Sequence, residues 1–250
     1  GGSWQASGNF TALVPGNYNV RIRDAAHTGC VIVLNASLAV TQPAVLNALV
    51  TPTNVSCSGA NDGVINITAP TGGAGTYEYS ITGGAGWQGA GLFAGLAPAT
   101  YNVQIRDAGN ITCVMTLNSS VTITEPQLLS ATVTTSNITC FGAADGIINI
   151  IGATGGYGTY EYSINGGTGW QASGSFIGLA PATYNVQIRD KAHIGCVVIL
   201  NPALVITQPA VITATIASTN ITCFAANNGT ITITNPLGGY GTYAYSINVV

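Results

Sequence analysis

The chain has 250 residues and is only 5% charged, with five Lys and Arg against eight Asp and Glu, where an ordinary soluble protein is about 25% charged. That leaves no clustered cations to neutralise phosphates, which excludes a nucleic-acid binder. A 47% hydrophobic content excludes charge-driven disorder, and apolar runs such as Val31-Ile32-Val33-Leu34 are far shorter than the roughly 20 residues of a spanning helix, so no membrane span is expected.

The elements recur with a step of 83: Trp4, Trp87 and Trp170; Cys57, Cys140 and Cys223; Cys30, Cys113 and Cys196; Pro43, Pro126 and Pro209. A unit of this length is large enough to be a small domain rather than a solenoid turn. Placing each boundary after the Gln/Glu-Pro pair gives the back part of one repeat at 1–46, complete repeats at 47–129 and 130–212, and the front part of another at 213–250. With no initiator Met and no signal peptide visible, a mature or internal fragment is expected. A window cut from a longer array explains these bounds. A subunit whose front part completes the back part of a neighbour explains them too.

Taken in order through 47–129, the first element is the extended, Val- and Thr-rich Leu49 to Ser56. Ala60-Asn61-Asp62-Gly63 is a hairpin signal, since primed turns need positive φ at both central residues. Val64 to Thr68 alternates, with Ile65 and Ile67 on one face. After the Gly72-Gly73-Ala74-Gly75 turn, Tyr77, Tyr79 and Ile81 share an inner face. Leu96-Ala97-Pro98-Ala99-Thr100-Tyr101 reads as the corner before a sandwich's penultimate strand, where a Tyr hydroxyl bonds back to the chain. Tyr101, Val103 and Ile105 then face inward, Asp107 to Ile111 reads as a loop, and Cys113 to Thr124 is the last strand region before Glu125-Pro126. The fold class is all-β: tandem immunoglobulin-like antiparallel β-sandwich repeats.

Two cysteines at fixed places in each repeat suggest disulfides in an oxidising compartment. The favoured scheme is within a repeat, Cys57 with Cys113 and Cys140 with Cys196, leaving Cys30 and Cys223 unpaired. Against it, the end of a first strand and the start of a last one lie at opposite ends of a simple sandwich. Pairing of neighbours (Cys30 with Cys57, Cys113 with Cys140, Cys196 with Cys223) or free thiols remain open. There is no C-x-x-C and only two His, so neither zinc nor any other cofactor is expected.

Few other residues invite a role. Glu78 with Arg106, and Glu161 with Arg189, are expected to pair across neighbouring strands, although Ala244 replaces the Glu in a further copy. Trp4, Trp87 and Trp170 either close one end of the core or offer aromatic contacts to a sugar. Asp24, Asp107 and Asp190 suit turn capping better than calcium. His27 and His193 share a position held by Asn110 in the middle copy, which speaks against proton transfer. No catalytic residue is assigned and no enzyme is expected. Nine Asn-x-Ser/Thr sequons allow glycosylation.

The string Val55-Ser56-Cys57-Ser58-Gly59-Ala60-Asn61-Asp62-Gly63, followed by Gly72-Gly73, Tyr77-Glu78-Tyr79-Ser80, Leu96 to Val103, Arg106-Asp107, Cys113 and Ile123-Thr124-Glu125-Pro126, resembles the SprB-type repeat of Bacteroidota gliding-motility adhesins and related large cell-surface proteins. Ala225-Ala226-Asn227-Asn228-Gly229 departs from it by lacking the Asp. The resemblance implies secretion, display on the cell surface and a role in extended adhesive or motility filaments. The expected function is a structural segment of an extracellular stalk or fibre that associates with further copies of itself. The alternative is a module that presents aromatic loops to a surface polysaccharide.

Overall fold

The computed structural model describes residues 2–248. Its regular elements are strands. β1 (Gly16–Arg23) and β2 (Val31–Val40) come first, then β3 (Asn47–Thr53), β4 (Gly63–Thr71), β5 (Tyr77–Ser80), β6 (Leu92–Leu96), β7 (Ala99–Asp107) and β8 (Asn110–Ile123). The same six recur as β9 (Ser130–Ser136), β10 (Gly146–Thr154), β11 (Tyr160–Ser163), β12 (Ser175–Leu179), β13 (Ala182–Asp190) and β14 (Val197–Ile206), before β15 (Ala210–Thr219) and β16 (Thr230–Gly239). No helix among the described residues is long and apolar enough to cross a membrane.

Each set of six strands makes two three-stranded sheets, ordered β3-β4-β6 and β5-β7-β8, then β9-β10-β12 and β11-β13-β14. β1-β2 and β15-β16 are two-stranded sheets. The antiparallel register places alternate residues on a common inner face, as in Tyr79 opposite Ile105 and Tyr162 opposite Ile188. The inner faces are filled by β-branched residues: Ile65, Val103, Ile105, Ile148, Val186 and Ile188 have no exposed surface. Each such burial contributes about 1.5–3 kcal/mol. The chain is thus a tandem β-sandwich protein with an 83-residue step.

By contacts the chain divides into two compact units. One comprises the residues up to Thr53 with Val64–Ala94 and Ala99–Ile123. The other comprises Asn54–Gly63, Gly95–Pro98 and everything from Thr124 onward. The loop carrying Cys57 therefore belongs to the second unit.

Two local expectations change. Asn61-Asp62 is not a tight hairpin turn: β3 ends at Thr53 and β4 begins at Gly63, and of the two central residues only Asn61 has positive φ, at 52°. The intervening loop closes on a carboxylate instead, with Asp62 accepting from both the N–H and the hydroxyl of Ser56. In the other direction, the loop expected at Asp107 to Ile111 tightens to Ala108-Gly109, with Asp107 opposite Asn110. Asp107 Oδ1 caps that turn by accepting from the N–H groups of Gly109 and Asn110. Thr112 stands where the other copies have Gly29 and Gly195, so the strand runs on through Cys113.

The Gly-Gly turn is fixed by close approach. At Gly155 φ is +82°, and a Cβ would lie 2.1 Å from the carbonyl oxygen of Leu128. Gly72 and Gly238 meet Val45 and Val211 in the same way. Only glycine meets both demands.

Candidate functional site

Within the second unit, four short pieces of chain converge: the loop Val55–Cys57, the segment Thr124–Leu129, the turn Gly155–Tyr157 and the β13–β14 turn from Asp190 to Cys196. The backbone ties them together. Val55 N–H donates to Thr124 O, and Gly156 N–H to Gln127 O. Asp190 N–H and Cys196 O close the β13–β14 turn at 3.0 Å. Asp190 has no exposed surface. Its Oδ1 accepts from the N–H groups of Ala192 and His193, and its Oδ2 from the Tyr157 N–H.

The convergence is sealed covalently. Cys57 and Cys196 form a disulfide with a Cα–Cα distance of 5.3 Å across a sequence separation of 139. Beside it the Tyr157 ring stacks on His193 with centroids 3.9 Å apart, and its hydroxyl donates to Val55 O at 3.4 Å. A recess of about 220 Å³ opens here between Val55, Glu125, Pro126 and Tyr157.

This pair corrects the expected pairings, since Cys113 and Cys140 are free, as are Cys30 and Cys223. The reason is strand length. The Cys57 loop is bonded to Thr124, just past the end of β8, whereas Cys113 lies near that strand's beginning. About ten residues of strand at ~3.3 Å each put roughly 30 Å between them. Cys140 and Cys196 are separated likewise, because Ile138 N–H donates to Thr207 O beyond the far end of β14. The first-strand cysteine of one copy instead meets the last-strand cysteine of the next.

The remaining candidates form a second arrangement, on the β5-β7 and β11-β13 strand pairs. Glu78 lies opposite Arg106 in the register, and Glu161 opposite Arg189. In both pairs Arg Nη2 stands 2.6 Å from the Glu Oε2. Each guanidinium also lies over an indole, 4.5 Å from Trp87 and 4.4 Å from Trp170. These two Trp are half-buried, and Trp170 Nε1 donates to Gly167 O. Trp4 is exposed, with Arg23 at 4.5 Å. A shallow groove of about 270 Å³ runs past Trp87 between Ile81, Gln88 and Phe93. Tyr18 and Tyr184 donate back to Val14 O and Ala180 O, closing their corners.

The ionisable groups do structural work. Hydrogen bonds from the Ser56 and Thr139 hydroxyls, seconded by the N–H groups of the same residues, hold the Asp62 and Asp145 carboxyls below the usual range. The Ala74 N–H does the same for Asp107 against the opposing effect of burial. Burial pushes the Tyr79 and Tyr162 hydroxyls up. No group of three or more His, Cys, Asp or Glu that could hold a metal occurs among the described residues.

The Tyr157 contact escaped sequence reasoning. Its available signal was an aromatic inside a Gly-Gly-x-Gly turn, at a position held by Ala74 in one copy and by Tyr in the next two.

The family model described as the SprB repeat matches at residues 49–86, 132–169 and 215–249, one step of the period apart each time. The chain carries SprB repeats. Each match spans the first strands of a copy, from the β3, β9 or β15 strand past the Gly-Gly turn. No curated protein and no solved structure matches the chain. SprB repeats are those of cell-surface repeat proteins rather than of an enzyme family, and a disulfide fits an extracellular setting.

Proposed function

We propose that this SprB-repeat segment is a passive structural element of an extracellular, cell-surface adhesin or filament. In this reading residues 47–129 and 130–212 are complete sandwich repeats, while 1–46 and 213–250 are parts of further ones. The observation that carries the reading is the Cys57–Cys196 disulfide, which joins one copy to the next rather than closing a copy on itself. A tensile array needs strength between its successive copies, and a covalent link from one copy to the next supplies it. The near-absence of charge removes the repulsion that would oppose end-to-end association.

Electron microscopy of the purified chain under oxidising conditions tests this. Extended rods or fibres are expected, and isolated round particles would overturn it. The half-buried Trp87 beside its groove favours a second reading, a glycan-binding module. Arg106 already covers one indole face, which weakens it as a stacking platform. Binding to polysaccharide arrays that Trp87→Ala abolishes would establish that reading instead.

A further inference from the structure

The Cys57–Cys196 disulfide encloses every strand from β4 to β13. The enclosed stretch holds the rest of the first complete copy, the connecting segment 124–129 and all but the last strand of the second. Of these two copies, β3 alone precedes the loop and β14 alone follows it. Pairs within each copy would enclose different residues. Cys57 with Cys113 and Cys140 with Cys196 would leave 114–139 outside both loops, and that stretch holds the connection between the copies. With Cys57 bonded to Cys196 the connection lies inside.

Tension along the backbone enters this region through β3 and leaves through β14. Between them it has two routes, the polypeptide and the disulfide. The Cys57 and Cys196 Cα atoms are 5.3 Å apart, whereas the polypeptide between them, drawn out, spans roughly 460–500 Å. The short route therefore becomes taut first and takes the load. β3 and β14 are already extended at ~3.3 Å per residue and have little further length to give. Hydrogen-bonded sheets under load yield at their unfolding rate, but a covalent bond does not depend on that barrier. The bond is also sheltered: Cys196 is 7% exposed and Cys57 half-buried, and thiol exchange requires access to a sulfur. Its Cys57 side is held to the sandwich by the Asn54 side chain, which accepts from the Thr124 N–H at 3.0 Å, and by Val55 N–H donating to Thr124 O.

We propose that the Cys57–Cys196 disulfide is a force-bearing bypass. It carries tension from one copy straight to the next and keeps residues 58–195 out of the line of load. Asn47 to Ile206 then acts as an inextensible tether, whether or not its sandwiches stay folded. This deepens the structural reading of the array and rests on it for the source of the tension.

The test is single-molecule stretching of the full-length chain held by handles at its two ends, first oxidised and then with dithiothreitol. Two successive exchanges leave Cys57 and Cys196 as thiols and the reagent as its cyclic disulfide. The oxidised chain is expected to stop short of the reduced one by roughly 460–500 Å when fully drawn out. Cys57→Ser should give the long form without reductant, and Cys113→Ser should keep the short one. Because the drawn-out length counts only covalently free residues, a variant that folds poorly is still read. Equal lengths in the two conditions would overturn the bypass. So would a shortening of about 200 Å for each copy, the mark of pairs within copies. Micrographs of the same oxidised sample separate this from the array reading. Rods with no shortening sink the bypass alone, and round particles with the full shortening sink the array alone. Round particles with no shortening sink both.

Discussion

Residues 130–206 and residues 2–46 use the same alphabet of alternating β-branched positions, but they reach different ends. In the first, Val186, Ile188 and Ile206 lie against Ile148 and Tyr162 in one closed core. In the second, the hairpin β1-β2 forms with the register of β13-β14, down to the same shifts around Val20 and Val186, and encloses nothing. Hairpin formation is thus local, set by the strand pattern and the corner tyrosine. Burial needs the opposing sheet. A sandwich repeat is stable only when both of its sheets are present.

Several substitutions can break or sharpen this contrast. The largest effect belongs to the link between copies. Cys57→Ser should lower the stability of the second unit by about 3–5 kcal/mol, given the long loop it releases, whereas Cys113→Ser should change nothing measurable in denaturant unfolding. Next, Ile188→Ala in the closed core should cost about 2–5 kcal/mol. Ile22→Ala, at the equivalent open position, should stay within about 0.5 kcal/mol by the same measurement. Equal losses would mean that the open face is buried in solution.

The Gly-Gly turn gives a smaller, graded pair. Gly155→Ala should cost more than about 2 kcal/mol, because positive φ and the Leu128 carbonyl both oppose it. Gly158→Ala, at φ +89° but in open space, should cost about 1 kcal/mol. Thermal unfolding followed by circular dichroism distinguishes the two.

What the sequence made legible divides along the same line. Strand positions, inner faces and the two-layer architecture follow from period-2 alternation, which each segment carries within itself. The cysteine pairing was hidden, because the period says which cysteines are equivalent but not which end of one copy meets the next. That depends on where the Cys57 loop is anchored, at Thr124, some seventy residues downstream. The Asp62 loop was misread for a related reason. The Asn-Asp-Gly string suits a tight turn, but the carboxylate finds Ser56 and closes a wider loop.

Acid should reach the capped loops before the cores. The Asp62, Asp107 and Asp145 carboxyls are held below their ordinary range in the folded chain. The stability they contribute is therefore complete above the unfolded value of about 4 and falls as pH drops through the folded values. Unfolding midpoints should stay flat from neutral pH to about 5 and decline below about 4. Asp62→Asn combined with Asp145→Asn should flatten part of that decline. The smallest effect belongs to the cross-strand ion pair: Glu161→Gln should cost about 0.2–1 kcal/mol, less in high salt. A larger, salt-independent loss would mean that Arg189 and Trp170 need the carboxylate to hold their stack.

Non-reducing peptide mapping of the oxidised, full-length chain bears most directly on the joining of copies. A peptide pair containing Cys57 and Cys196 from a single molecule is the predicted result. Recovery of Cys57 with Cys113, or of Cys140 with Cys196, would contradict it and return the chain to self-contained repeats.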